Sequence, residues 1–401
     1  MARIDKILFY FILFSLLIDI VSGALSYFTG TILSIGQLIK IVVLQLLILR
    51  LFQSKKNSII CLFFILYICF IVIKLTLNFS KYQIPLILSD LFISLKPLYV
   101  FAIYFWLKNQ IQLGLISNLK IRNLVNYNIY FITFNQIIGL FGFGYPSYVV
   151  GDTAIGTSGF FFSGNEYALI LVLTFSLKLF FTFKSKNFSR YVYWSIFLIG
   201  IALTTAVKTA IIGTVLISFL LPTSLKFVNL LKLSLVSFGL IILVGAQFLR
   251  FNYNLVFFDR LVWIYENKGL TTLLVSGRDE FLQKGLYLFL NEYSLIEQLV
   301  GIGYYRLNQI TVHPEMDMFD VLFMFGFLGL IIMYIPFFLL ITSKIKIFKS
   351  DNISRFITLL SLLIIGISFF AGHVMFSVSA APFITIILTL NYFKNENIIT
   401  V

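Results

Sequence analysis

Arginine, histidine and carboxylate side chains collect in one polar stretch of an otherwise apolar chain. Residues 275–320 hold Arg278, Arg306 and His313, which is one of only two histidines among 401 residues. Arginine offers phosphate oxygens a fixed fork of donors, and a neutral histidine can accept a proton from a hydroxyl. These residue types suit attack by a sugar hydroxyl on a carbon whose leaving group is a lipid-borne pyrophosphate, because cations stabilise the departing charge.

Each of these residues also has an ordinary structural interpretation. Arg278 can pair with a nearby carboxylate, and His313 can be a residue at the start of a helix. Glu315 and Asp317 precede an apolar run, where they would favour the positive N-terminal end of its helix. As a Glu-x-Asp pair they form a poor divalent-ion site without further ligands, and we expect no metal. Both kinds of interpretation stay open at this point.

The elements that must position these residues are membrane helices. The composition is 60% hydrophobic and 11% charged, whereas an ordinary soluble domain is about 25% charged. Apolar runs of about 17 to 25 residues recur along the chain, and each is long enough to cross a bilayer as a helix. The two cysteines, Cys61 and Cys69, share one such run and predict neither a disulfide nor a metal site. We therefore predict an all-α, polytopic integral membrane protein with a single membrane domain over residues 1–401.

Hydropathy predicts about twelve transmembrane helices and a large loop between the ninth and the tenth. This loop, residues 249–318, carries mixed charge and is predicted to contain short surface helices. The predicted spans are 7–24, 31–50, 58–77, 84–107, 124–141, 160–183, 191–206, 209–222, 229–248, 319–343, 353–371 and 374–393.

The distribution of lysine and arginine orients the chain. With both termini in the cytoplasm, nearly all short cytoplasmic connections are basic, and the outer ones offer little beyond Lys81. The formal net charge of +14 then reflects membrane topology, so nucleic acid is not an expected partner. Lys208, Arg278 and His313 fall together on the outer face under this threading.

Two pairs of opposite charges are predicted inside the spans. Counted from the inner ends, Asp19 and Lys40 lie at about 18 and 15 Å depth, and Lys74 and Asp90 both lie near 25 Å. An ion at such depth needs a partner or a water-filled cavity. Structural ion pairs and a polar cavity for a charged substrate are the two alternatives. A transporter concentrates its polar groups near the bilayer midplane. Here the richest polar cluster lies in the predicted outer loop, which favours an enzyme over a transporter.

Five segments resemble, in order, the O-antigen ligase and polymerase family of bacterial envelope proteins. They run from about residue 159 to 390, more than half of the chain, and the first five spans match only in character. The segments are "GFFFSGNEYA" (159–168) with Asn165, "LTTAVKTAIIG" (203–213) with Lys208, "GRDEF" (277–281) with Arg278, "GIGYY…VHPEMDMFDVLFMFGFLGLI" with His313, and "AGHVMFS" (371–377) with His373.

The resemblance implies transfer of glycan from undecaprenyl pyrophosphate on the periplasmic face of the bacterial inner membrane, without a cofactor. Lys208 and Arg278 would bind the pyrophosphate, with Arg306 as a further cation, and His313 would orient or deprotonate the acceptor hydroxyl. The family usually has arginine at the position of Lys208, and lysine keeps the charge but loses the fork.

The acidic run "HPEMD" resembles the polymerases, which join lipid-linked repeat units, more than the ligases, which transfer glycan to lipid A-core. Glu315 and Asp317 would then be acids on the acceptor side. We favour a repeat-unit polymerase, with a ligase as the first alternative. A transporter or flippase of the lipid-linked oligosaccharide is an alternative of another class, and a non-catalytic scaffold in an envelope assembly complex is a third. The bilayer, a chain-length regulator and a flippase are the partners to expect.

Overall fold

Helices make up nearly all of the regular structure. The computed structural model describes residues 3–30, 35–53, 58–79, 84–150, 153–185, 187–224, 256–310, 312–346 and 351–393. The first half contains α1 (Arg3–Thr29), α2 (Ile35–Phe52), α3 (Ser58–Phe79), α4 (Ile84–Leu95), α5 (Leu98–Gln112), α6 (Asn118–Leu140), α7 (Gly164–Lys184), α8 (Phe188–Thr205) and α9 (Lys208–Ser224).

The second half begins with four helices in the predicted outer loop and returns to apolar helices. The loop contains α10 (Val256–Val275), α11 (Arg278–Asn291), α12 (Leu295–Val300) and α13 (Tyr304–Gln309). Next come α14 (Asp317–Gly329), a π-helical turn (Leu330–Tyr334), α15 (Ile335–Thr342), α16 (Asn352–Phe370), α17 (Ala381–Thr389) and a 3₁₀ turn (Leu390–Tyr392).

The predicted all-α, multi-pass membrane class is confirmed. Seven helical stretches in the described part of the chain are long and apolar enough to cross a membrane. They are Arg3–Thr29, Ile35–Phe52, Ser58–Leu77, Leu86–Gln112, Gly164–Lys184, Asp317–Thr342 and Asn352–Phe370.

The remaining predicted spans differ from these seven. The spans 124–141 and 191–206 form α6 and α8, which are less apolar, and 209–222 forms the shorter α9. The span predicted at 229–248 lies outside the described residues.

The last predicted span, 374–393, is not one continuous helix. Residues 371–380 are non-helical, and only the short α17 and its 3₁₀ turn follow. Gly372 and His373 both have positive φ, at 61° and 63°. Asp317 at the start of α14 accepts hydrogen bonds from the backbone N–H groups of Val374 and Met375 at 3.2 and 3.0 Å. Hydropathy cannot detect a span that is broken by such contacts.

The outer segment 142–159 forms a small antiparallel hairpin that the sequence analysis did not predict. Strands β1 (Tyr145–Val150) and β2 (Thr153–Gly159) pair with Tyr148 opposite Ile155. The hairpin rests on α6, where Asn135 donates to the Ser158 carbonyl at 2.9 Å and accepts from the backbone N–H of Phe160 at 2.9 Å.

Both predicted ion pairs inside the spans form. Lys40 Nζ lies 2.5 Å from Asp19 Oδ1, and Lys74 Nζ lies 3.9 Å from Asp90 Oδ2. Lys74 is fully buried and also sits over the ring of Phe325, 3.9 Å from its centroid. Each pair joins neighbouring helices, as the structural alternative expected.

The outer-loop helices dock on the membrane helices. Phe289 of α11 is buried against the rings of Phe323 and Phe327 on α14. Asp90 of α4 accepts a hydrogen bond from the backbone N–H of Tyr305 on α13 at 3.0 Å. The amphipathic face of α11 was expected to lie on the membrane surface, but part of it packs on protein, because Phe289 finds an aromatic partner there.

Candidate active site

A cavity of about 1000 Å³ lies where the hairpin and the helices of the predicted outer loop meet α9 and α16. Polar side chains from distant parts of the sequence border one end of it, and apolar side chains of α9 and α16 border the rest. The polar lining residues are Asn165, Lys208, Thr209, Ser276, Arg278, Asn308, His313 and Glu315, and Tyr148 of the hairpin also contributes.

Three of the polar side chains at this end of the cavity lie in the first turns of helices. Asn165 lies in the first turn of α7, which Ser163 caps by accepting from the backbone N–H of Glu166. Lys208 and Arg278 are the first residues of α9 and α11. A helix N-terminus carries partial positive charge. The dipoles of α7, α9 and α11 therefore add to the two cationic side chains at this end of the cavity.

Backbone conformations of positive φ cluster around the same end. Among the described residues, four non-glycine residues have positive φ: Ala206 at 55°, Ser276 at 59°, Glu315 at 52° and His373 at 63°. Ala206, Ser276 and Glu315 border the cavity, and His373 contacts Glu315. Such conformations cost free energy for residues with a Cβ and concentrate at functional sites. Their clustering supports a functional role for this cavity.

Glu315 joins three elements through a single oxygen atom. Its Oε2 accepts from Arg278 Nη2 at 2.7 Å and from Asn165 Nδ2 at 3.2 Å, and it lies 3.7 Å from His373 Nε2. Burial disfavours the charge of Glu315, but His373 and Arg278 outweigh this and lower its pKa to about 2. Burial disfavours the His373 cation as well, yet Glu315 raises the pKa of His373 above its ordinary value.

The other two proposed functional side chains border the cavity independently of Glu315. Lys208 Nζ donates to Ser276 Oγ at 3.2 Å, next to the turn that begins α11. The His313 ring packs against Tyr304, with ring centroids 5.3 Å apart, and its Nδ1 lies 3.7 Å from Asp320 Oδ1. The structure thus brings Asn165, Lys208 and His313 to one cavity with Arg278 and Glu315.

Two predicted site residues are placed elsewhere. Arg306 forms an ion pair with Glu297 and does not border the cavity. Asp317 is fully buried, and its Oδ2 accepts from Ser368 Oγ at 2.7 Å in addition to two backbone N–H groups. These contacts give Asp317 a structural role, because they tie the start of α14 to Ser368 and to the segment that follows α16. Within the described ranges, no group of three or more metal-ligating side chains forms a metal site.

Three residues near the site were not singled out from the sequence. Ser276 and Asn308 border the cavity, and nothing in their types or spacing distinguishes them from ordinary loop residues. Asp320 was detectable in principle, because an acidic residue inside an apolar span needs a partner. The sequence did not identify His313, seven residues earlier, as that partner.

One comparison with known proteins gives a match to the C-terminal third of the chain. Residues 259–393 match the family described as O-antigen ligase like membrane protein, a stretch that contains Arg278, His313, Glu315 and His373. No curated protein and no solved structure gives a match. The match supports a glycosyltransferase-like membrane enzyme of O-antigen or related polysaccharide assembly. The segments around Asn165 and Lys208 lie outside this match. The family resemblance predicted from the sequence is thus confirmed over residues 259–393, which match the O-antigen ligase like membrane proteins.

Proposed function

We propose that the protein is a polymerase of undecaprenyl-pyrophosphate-linked oligosaccharide repeat units, as in O-antigen or a similar surface polysaccharide. The single observation that carries this proposal is the continuity of one cavity from a cationic polar end to an apolar groove. Such a shape suits an amphiphile that has an anionic head and a long apolar tail.

The apolar groove runs between α9 and α16. From Lys208 to Leu220 the axis of α9 covers 12 residues, or about 18 Å at 1.5 Å per residue. Ile212, Leu216 and Leu220 line it at four-residue spacing, so they share one face of α9. From α16 come Leu359, Leu362, Leu363, Gly366, Ile367 and Phe370. Several of these side chains are exposed, which suits a groove that opens sideways to lipid.

The polar end supplies charges for a diphosphate head. Lys208 and Arg278 face the cavity, and the raised pKa of His373 favours a third positive charge beside them. Glu315 offsets one of these charges and holds the Arg278 guanidinium in place. Cations fixed in this way stabilise a departing diphosphate without reorganising during the reaction.

The reaction we propose is an inverting glycosyl transfer. A hydroxyl oxygen of the acceptor sugar forms a bond to the anomeric carbon while the bond from that carbon to the diphosphate oxygen breaks. The bonding electron pair leaves with the diphosphate, beside Arg278 and Lys208. The hydroxyl proton passes to His313 and afterwards to solvent or to the released diphosphate.

A polymerase and a ligase differ in the acceptor that each needs for glycan transfer. We expect the purified protein in nanodiscs to elongate a lipid-linked repeat unit when no other lipid acceptor is present. A protein that is inert until lipid A-core is added would instead be a ligase.

A transporter or flippase would show neither reaction and would move the intact donor between leaflets. The ion pairs Asp19–Lys40 and Lys74–Asp90 link helices and do not border the cavity, which favours the enzyme. We further propose an inner-membrane location with both termini in the cytoplasm, a periplasmic active site, and cooperation with a flippase and a chain-length regulator.

A further inference from the structure

The carboxylate of Asp320 is buried near the start of α14 without a full set of partners. Its Oδ1 has no hydrogen bond to the described part of the protein, and His313 Nδ1 lies 3.7 Å away. A buried carboxylate oxygen that lacks a donor carries a large desolvation cost. An N–H group on His313 Nδ1 would offset this cost once the 3.7 Å separation shortens to hydrogen-bond length, as catalytic contacts do when substrate binds.

The same histidine has a second nitrogen without a partner. Within the described residues, His313 Nε2 is buried and makes no hydrogen bond, and the His313 side chain borders the cavity. The His313 ring packs against the Tyr304 ring at an interplanar angle of 48°. Asp320 thus flanks the imidazole at Nδ1, Tyr304 packs against it, and Nε2 has no partner among the described residues.

We propose that Asp320 is a positioning residue that holds neutral His313 in the Nδ1–H tautomer. Neutral imidazole carries one N–H group, and the hydrogen bond made by one nitrogen decides which nitrogen keeps its proton. With the proton on Nδ1, the lone pair of Nε2 is the basic site. Asp320 thereby selects the nitrogen that receives the acceptor hydroxyl proton, a consequence that rests on the proposed function.

The proton count is balanced in this arrangement. The hydroxyl proton moves to Nε2 while the Nδ1 proton stays between His313 and Asp320. The resulting imidazolium then faces the Asp320 carboxylate, which stabilises its charge until Nε2 releases the proton.

The neighbouring acid Asp317 provides a matched control. It lies one helical turn before Asp320 on α14, and both side chains are buried. Asp317 has its own donors in Ser368, Val374 and Met375, whereas Asp320 faces the histidine. Asp317→Asn keeps a carbonyl oxygen for those donors and leaves the pairing of His313 with Asp320 unchanged.

Nuclear magnetic resonance of ¹⁵N-labelled histidine tests the tautomer directly. The 401-residue chain has only two histidines, so the spectrum of a His373→Gln variant assigns both imidazoles. At a pH at which His313 is neutral, we expect proton-bearing Nδ1 and proton-free Nε2, and the same pattern in Asp317→Asn. Asp320→Asn should move the proton wholly or partly to Nε2. An Nε2–H tautomer of His313 in the unmodified protein overturns the proposal even if neither aspartate variant folds, and so does an unchanged tautomer in folded Asp320→Asn.

A kinetic experiment tests the catalytic consequence separately. General-base catalysis contributes about 10²-fold or more, so Asp320→Asn should lower kcat about 100-fold and leave the KM for the lipid-linked donor unchanged. Asp320→Glu should recover part of the loss. An Asp320→Asn variant with normal kcat would overturn the positioning role in catalysis. If the protein transfers no glycan at all, the proposed function fails, whereas the tautomer measurement still decides the role of Asp320.

Discussion

The position of Arg278 is compatible with both of the roles proposed from its sequence. It pairs with a carboxylate, as the structural interpretation expected, but that carboxylate is Glu315, which is 37 residues away in sequence. It also borders the cavity. The pairing and the functional interpretation are therefore compatible, because Glu315 holds the guanidinium at the cavity wall.

Arg278→Lys should lower kcat/KM for glycan transfer by about 100-fold. Lysine keeps the positive charge but loses the planar fork that serves Glu315 and a diphosphate together. The measurement is the rate of chain growth from purified lipid-linked repeats, with folding checked by gel filtration. Arg306→Ala is the matched control, because Arg306 contacts Glu297 and not the cavity. An equal loss in both variants would show that the loss is not specific to the cavity.

His373 predicts a pH dependence of stability. Its pKa is raised in the folded protein, so the folded state binds the proton more tightly than the unfolded chain does. The resulting stabilisation is complete below the unfolded value of about 6.5 and is lost as pH rises through the raised pKa. Glu315, with a pKa of about 2, remains charged throughout this pH range and therefore does not change the pH dependence of stability there.

Thermal unfolding in detergent from pH 5.5 to 8.5 measures this effect. The Tm difference between the unmodified protein and His373→Gln should be largest at the acidic end and should shrink as pH rises. A difference that grows with pH would contradict the raised pKa.

At the scale of elements, the groove between α9 and α16 depends on a small residue. A Cβ placed on Gly366 meets no atom within 4 Å, and this residue borders the cavity. Gly366→Leu should fill the groove and raise the KM for the lipid-linked donor at least about tenfold, while the helix itself gains propensity. Gly200→Leu on α8 is the control, since Gly200 is equally open but does not border the cavity. A Gly366→Leu variant with normal kinetics would show that the lipid tail of the donor does not bind in this groove.

The non-helical segment 371–380 depends on the start of α14. Asp317→Ala would leave the backbone N–H groups of Val374 and Met375 and the hydroxyl of Ser368 without their acceptor. Loss of a buried acceptor costs about 1–3 kcal/mol, so the free energy of unfolding should fall by about that amount. Thermal unfolding measures this change, and Asp317→Asn, which keeps an acceptor oxygen, should lose less. Equal losses would argue against the hydrogen bonds as the cause.

Helices could be predicted from the sequence where hydropathy alone determines their positions. Long apolar runs predicted α1, α2 and α3, since hydropathy alone sets their positions. The hairpin at 145–159 and the break at 371–380 depend on tertiary contacts with Asn135 and Asp317. Such contacts leave no periodic pattern in the sequence, so the hairpin and the break could not be predicted.

At the scale of the whole molecule, the proposed topology places the hairpin and the start of α6 on opposite sides of the membrane. With Cys61 and Cys69 replaced by serine, Val149→Cys should react with an impermeant maleimide added to cells whose outer membrane has been permeabilised. Val149 is exposed on β1. Lys120→Cys, at the exposed start of α6, should react only after the inner membrane is opened. The reverse pattern would invert the topology and place the cavity in the cytoplasm.

The assembly of the site was predictable in part. Charge distribution alone placed Lys208, Arg278 and His313 on one face, and the structure brings all three to one cavity. The same argument included Arg306, which pairs with Glu297 instead. Charge counting sorts residues by side of the membrane, but it cannot distinguish a cation at the cavity from one that neutralises a neighbouring acid.

The sideways opening to lipid that we propose for the groove between α9 and α16 determines how a substrate would reach the site. A donor that enters from the bilayer searches in two dimensions, so collision frequency follows its mole fraction among the surrounding lipids. Added phospholipid should then slow turnover at a constant amount of donor per volume, whereas added buffer should not.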